Sequence, residues 1–213
     1  MGEDGIRLNK FLSGAGICSR READRLVEQG AVKVNGKTAV MGQKVTISDS
    51  IMVKGKNISR EEEQILIALN KPVGIECTTD LNNPDNFDKR IYPIGRLDKN
   101  SQGLILLTND GSIVNNILKG SNYHEKEYVV TVDKPVTDDF IKKMSTGVRI
   151  LDQVTRPCKV TKVKKHVFNI VLTQGLNRQI RRMCGELGYN VQKLKRIRIM
   201  NIELGNLPVG QYR

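Results

Sequence analysis

The chain has 213 residues, 38% of them hydrophobic and 27% charged, a balance that supports a packed core and excludes a disordered polymer. Thirty-five basic residues against 23 acidic ones leave a net charge of +12, which favours a polyanionic partner, nucleic acid first. Four cysteines with no C-x-x-C pair and only two histidines, His124 and His166, argue against a disulfide framework, a zinc knuckle and a Ser-His-Asp triad.

Residues 1–58 read as one small unit. Leu8, Phe11 and Leu12 have helical spacing, and Gly14-Ala15-Gly16 ends that helix. Ser19 with Glu22 three residues on forms a capping-box signal for a second helix, which carries Leu26 and Val27 inside and meets Gly30 as its C-terminal stop. Alternating Val32 and Val34 before Asn35-Gly36 predict a hairpin, and strands around 45–47 and 51–53 complete a helix, helix and sheet module. Arg21 and Arg25 share a helix face, with Lys10 and Arg20 nearby; a solvated face and a phosphate-facing one both fit, and the net charge tilts the choice to phosphate.

The stretch "RLNKFLSGAGICSRREADRLVEQGAVKVNGK" resembles the S-four-type RNA-binding domain, which implies contact with structured RNA. "SREEEQ", residues 59–64, is a polar linker, and residues 65–213 form the second domain. There, strand-like segments at 65–69, 104–108, 127–132, 167–173 and 197–204 interleave irregularly with helical ones at 112–119, 137–145 and 178–187. That order predicts an α+β domain on a mixed or antiparallel sheet. The longest apolar run, Leu104–Leu107, is far short of the roughly 20 residues of a spanning helix, and the start of the chain has no signal-peptide pattern, so a cytoplasmic protein is expected.

"GRLDKNSQGLILLTNDG" sets Asp98 between Arg96 and Lys99, just before a strong strand. By itself such an Asp is a turn residue with solvated neighbours; a rigid strand beside it would also hold a carboxylate in place. In "HEKEYVVTV", Lys126, Tyr128 and Val130 alternate onto one strand face, and the tyrosine is either a core residue or a platform for a base drawn out of RNA. In "QGLNRQIRRMCGELGY", Ile180, Met183, Cys184 and Leu187 make one apolar stripe. Arg181 borders it, about 100° around from Ile180, whereas Arg182 falls opposite, where it suits a phosphate or plain solvent.

Together these motifs resemble the ribosomal RNA pseudouridine synthases, most closely the F-type large-subunit branch, over nearly the whole chain. The resemblance implies that Asp98 is the catalytic aspartate, that Tyr128 packs against the target uracil, and that Arg181 is the ion-pair partner of Asp98. It places Arg96, Lys126, Arg178, Gln179, Ile180 and Arg182 at the substrate, and Lys10, Arg20, Arg21 and Arg25 on RNA. Relatives outside this branch often carry Tyr-His-Gln where this chain has Asn177-Arg178-Gln179, a difference that bears on substrate choice. Between Asp85 and Lys89 the sequence is shorter than the family pattern.

The implied reaction converts uridine in ribosomal RNA, with transfer RNA as a further candidate, by flipping the base out of its helix and moving its link to the ribose from N1 to C5. It calls for no metal or organic cofactor, and a monomer suffices. The run from Arg156 to Lys165 and Lys193, Lys195, Arg196 and Arg198 are candidates for holding RNA backbone, with solvated strand edges as the alternative. One rival is a non-catalytic RNA-binding protein. Another is a glycosidase pairing Asp98 with Glu125 or Glu127.

Overall fold

The helical spacing of Leu8, Phe11 and Leu12 is realised in the computed structural model, which describes residues 5–46, 48–58, 64–77, 91–118 and 123–213. All three are buried on α1 (Leu8–Gly14), which stops where Gly16 takes a positive φ of 74°. In α2 (Arg20–Glu28) the Ser19 hydroxyl accepts the Glu22 N–H at 3.2 Å. Only this half of the capping box forms, because the Glu22 carboxylate turns to Arg25 at 3.4 Å.

Strands β1 (Ile6–Arg7) and β4 (Lys44–Val45) pair with each other, while β2 (Val32–Val34), β3 (Lys37–Thr38), β5 (Ile51–Val53) and β6 (Lys56–Ile58) form an antiparallel sheet in the order β3-β2-β5-β6. The β2–β3 turn uses Asn35 and Gly36, both at positive φ (51° and 79°), the pairing of a type I′ turn that matches the twist of its strands. Leu12, Ala23, Val32 and Ile51 are at most 1% exposed, so the two helices and this sheet share one core. Ile47, the end of a predicted strand, lies outside the described residues, as do most of the predicted linker and the short stretch from Asp85 to Lys89.

Among the described residues, this first compact unit runs to Ile65 and includes residues 91–92 and 108–111; the second takes the others. Apart from the terminal residues Tyr92, Thr108 and Gly111, the second unit is built from β7 (Leu66–Lys71), β8 (Tyr92–Ile94), β9 (Gln102–Thr108), α3 (Gly111–Leu118), β10 (Lys126–Val132), α4 (Asp138–Thr146), β11 (Arg149–Ile150), β12 (Gln153–Val154), β13 (Lys159–Lys164), β14 (Val167–Leu172), α5 (Gln179–Glu186), β15 (Val191–Ile199) and β16 (Ile202–Glu203). Its main sheet runs β13-β14-β10-β15-β9-β7. β10 is antiparallel to both neighbours and β15 is parallel to β9, so the sheet is mixed, as the irregular order of elements predicts. α5 lays Ile180, Met183 and Cys184 on the core of Val130, Phe140, Phe168 and Ile170. Each such side chain taken fully out of water stabilises by about 1.5–3 kcal/mol.

One strand departs from its sequence reading. The segment expected at 197–204 begins at Val191, turns after Ile199 and resumes as β16. Its inward positions alternate Leu194 with a charged residue, Arg196, which is only 3% exposed, so no apolar alternation marks the strand.

The β9–β15 contact depends on one glycine. A Cβ on Gly103, whose φ is 109°, would lie 2.2 Å from the Arg196 carbonyl oxygen and 2.7 Å from its nitrogen, both backbone. Gly103→Ala is expected to destabilise the protein by about 3 kcal/mol or more, read as a lowered urea midpoint. A second expectation concerns pH. Burial pushes the Cys184 thiol from 9.0 up to about 12, so the unfolded chain releases this proton first. Stability should therefore fall as pH rises from about 9 to about 12, and Cys184→Ala should flatten that part of the curve of urea midpoint against pH.

Candidate active site

A cleft of about 1100 Å³ opens in the second unit. Its wall is the loop from Gly95 to Ser101, its floor includes β10 and β15, and its far side is the segment from Leu172 into α5. Asp98 sits in this loop because Gly95 takes a φ of 81° and the Ser101 N–H closes a tight turn onto the Asp98 carbonyl at 2.9 Å. Strand β9 follows at once, with Leu104–Leu106 at most 1% exposed, so the loop hangs on one of the most rigid parts of the core.

A second segment fixes the loop from behind. The Gly74 N–H donates to the Lys99 carbonyl at 2.8 Å, and the Leu97 N–H points at the Cys77 sulfur at 3.4 Å. Lys71, 2% exposed at the end of β7, donates its ammonium to the carbonyls of Pro72 and Ile75, each at 2.7 Å. Burial lowers its pKa, opposed by the nearby Cys77 and Asp98. Lys71 therefore places a second cation near the Asp98 carboxylate. The sequence reading missed it. Its one signal is a lysine that, after Asn70, ends a strand begun by four apolar residues, immediately before Pro72.

Arg181 reaches the loop from α5. Its Nη2 donates to the Asn100 carbonyl at 2.9 Å and to the Ser101 hydroxyl at 3.3 Å, and its Nη1 donates to the Val191 carbonyl at 3.2 Å. The Nε lies 3.8 Å from Asp98 Oδ2, an ion pair without a hydrogen bond, and is itself buried with no hydrogen-bond partner. Burial depresses the guanidinium pKa and Asp98 opposes that, so the carboxylate supports the charge it faces. The Asp98 side chain is 35% exposed, open to a ligand while still held.

Tyr128, half-buried, lines the cleft and packs on the Val130–Phe168 core and against Leu97 and Ile105. Arg96, Lys126, Arg178, Gln179 and Ile180 line the same cleft. Gln179 and Ile180 are each 4% exposed, and the Gln179 side-chain oxygen accepts the Leu176 N–H at 3.1 Å, so this pair shapes the wall. Arg178 caps α5 in the left-handed region at φ 49°, exposed and aimed by strained backbone.

Arg182 differs from its expected role. It donates Nε to the Asn177 carbonyl at 3.0 Å and Nη2 to the Asn177 side-chain oxygen at 3.1 Å, a clamp on the loop before α5, and it does not line the cleft. Glu125 and Glu127 also lie elsewhere. With Arg198 at 2.9 Å from each, they line a separate pocket of about 330 Å³, because Glu127 alternates away from Lys126 and Tyr128 along β10. The pairing of Asp98 with either glutamate is thereby overturned, and Arg198 is spoken for. Lys10, Arg20, Arg21 and Arg25 are exposed in the first unit, with Arg25 paired to Glu22.

Comparison with known proteins bears on the chain as a whole. Residues 65–186 match the RNA pseudouridylate synthase family, and residues 6–51 match the S4 domain. The chain is 56% identical to the dual-specificity RNA pseudouridine synthase RluF of Escherichia coli K12, over 99% of its own length and 76% of that protein's. It is 37% identical to the ribosomal large subunit pseudouridine synthase B of Bacillus subtilis, over 97% and 91% of the two lengths. A crystal structure of a pseudouridylate synthase superposes with a TM-score of 0.72 at 29% identity, over 98% of this chain and 95% of that one.

Arg181→Lys removes the fork that spans Asn100, Ser101 and Val191. The acceptors are spread over two guanidinium nitrogens, a span that a single ammonium nitrogen does not reproduce, so the change is expected to cost about 1–3 kcal/mol in a urea melt even though it preserves the charge.

Proposed function

The chain belongs to the RNA pseudouridylate synthase family, and from that premise we propose that Asp98, Tyr128 and Arg181 carry its reaction. The protein isomerises uridine in RNA to pseudouridine. The observation that carries the assignment of residues is the 3.8 Å approach of Arg181 Nε to Asp98 Oδ2 inside a cleft whose floor holds Tyr128.

The chemistry asks for a nucleophile or charge stabiliser at the anomeric carbon, a wall for a loose base, and limited access for water. Asp98 attacks C1′ or stabilises the positive charge that develops there, as carboxylates do in glycoside chemistry. Arg181 aims the carboxylate, and its Nε, buried without a hydrogen-bond partner, faces it. Tyr128 packs its ring against the detached uracil. Ile180 and Gln179 shape the wall, and Arg96, Lys126 and Arg178 meet the nucleotide around it.

The substrate we propose is large-subunit ribosomal RNA, with transfer RNA as a second class, on the strength of the "dual-specificity" and "ribosomal large subunit" relatives. In this reading residues 1–58 are an RNA-binding module that uses Lys10, Arg20, Arg21 and Arg25, 59–64 are the linker, and 65–213 are the catalytic domain. A single chain supplies the full set, which fits a cytoplasmic monomer. Among the described residues, no helix is long and apolar enough to cross a membrane.

Pseudouridine mapping of cellular RNA tests the reading. Deleting the gene should erase at least one site in large-subunit ribosomal RNA, wild type should restore it, and Asp98→Asn should bind RNA normally while restoring nothing. Restoration by Asp98→Asn would defeat the assignment of Asp98.

A further inference from the structure

Two cations on the cleft floor, Lys126 and Arg196, stand beside Tyr128 and so beside the base that the proposed reaction detaches. Arg196 stands directly across from Tyr128 in the β10–β15 register, so their side chains lie side by side on one sheet face. Lys126 is two residues before Tyr128 on the same strand and faces the same way. Arg196, 3% exposed, donates Nε to the Leu104 carbonyl at 2.6 Å, while its Nη2 is buried without a hydrogen-bond partner. Lys126 has one long bond, 3.4 Å to the His124 carbonyl. Neither residue joins an ion pair among the described residues, and both line the cleft.

Two neighbouring, half-desolvated like charges are costly to keep. Burial first and Arg196 second hold the Lys126 ammonium below its ordinary pKa. An anion between them relieves both penalties. A phosphodiester stays tied to nucleotides on either side and belongs at the rim, whereas a flipped base is the part of RNA that enters a cleft to its floor.

We infer that Lys126 and Arg196 hold the negative charge of the uracil while it is detached from its ribose, a role that rests on the proposed reading of this cleft as the uridine-isomerising site. When the C1′–N1 bond breaks, its electron pair leaves on N1 and spreads to O2 and O4, while C1′ is satisfied by the Asp98 carboxylate. The ring turns beside Tyr128, C5 bonds to C1′ with release of Asp98, the C5 proton is lost and N1 gains one. Atoms and charge balance with no co-reactant. The two cations act in the interval when the uracil is an anion, which is where differential stabilisation raises the rate.

The test is single-turnover loss of the N-linked nucleoside in RNA carrying uridine or 5-fluorouridine at the target. Fluorine stabilises the departing anion and lessens its need for cations. Lys126→Met should slow uridine on the order of 100-fold but 5-fluorouridine only about tenfold, with RNA affinity little changed and Lys126→Arg recovering most of the rate. Arg196→Met should show the same substrate ratio, which a folding defect alone leaves near unity. Equal losses on both substrates overturn the inference. So does weaker RNA binding with a flatter salt dependence at an unchanged rate, the mark of a phosphate contact. A wild-type protein that makes no pseudouridine would overturn the underlying reading too.

Discussion

The site depends on one close parallel contact, that of Gly103 on β9 with Arg196 on β15. Strand β15 pairs with β10 on its other side and sets Arg196 opposite Tyr128, so a single row across three strands runs from Gly103 through Arg196 to Tyr128. The Asp98 turn ends at Ser101, two residues before this row begins. Backbone that tolerates no Cβ therefore fixes how far the carboxylate stands from the aromatic ring. Register in a sheet is all or nothing, since a one-residue slip sends every side chain to the opposite face. That makes a sheet a better ruler for the site than loops are.

Arg181 serves a different purpose. Its hydrogen bonds go to the backbone and Ser101 of the loop and to Val191 at the start of β15, so it ties the carboxylate's loop to the floor strand before it pairs with the carboxylate. The pairing distance of 3.8 Å, with Nε unsatisfied, leaves the interaction incomplete. In the proposed reading, an incomplete pair keeps some of its strength for the state in which charge develops at C1′. Lys71 works from the other side. Two of the three N–H bonds of its ammonium go to carbonyls, so it acts on Asp98 mainly through its field.

The parts of this arrangement legible in the sequence are those that obey local rules. The Asn35-Gly36 turn, the Ser19 cap and the apolar stripe of α5 each depend on a few adjacent residues and one neighbouring surface. The same stripe correctly distinguished Arg181, at its border, from Arg182, opposite. What failed was the expectation that Arg196 and Arg198 on β15 lie on an outer surface, whether facing RNA or water. Arg196 and Arg198 differ by two positions and look alike in sequence, yet the first is buried in the cleft floor and the second is enclosed by Glu125 and Glu127. A bulge between Glu127 and Tyr128 separates their faces, and a bulge leaves no trace in hydrophobic periodicity. Lys71 escaped for a similar reason: its partners are backbone carbonyls, which every sequence has.

The same subtraction sharpens how RNA is held. Extruding a base costs a few kcal/mol, which contacts outside the cleft must supply. Arg182 and Arg198 are committed within the protein, Arg196 is buried and Arg25 is shared with Glu22. Among the exposed cations of the second unit, four lie together on the edge strand and the turn after it, at Lys159, Lys162, Lys164 and Lys165. A strand advances about 3.3 Å per residue, so this run offers ammonium groups along roughly 20 Å of sheet edge. Lysines on such an edge also block edge-to-edge aggregation, and that function alone would place them there. The net charge of +12 decides between these uses. Protection of one edge needs only local charge, whereas an excess sustained over the whole chain lowers the free energy of a polyanion at every approach and weakens with added salt.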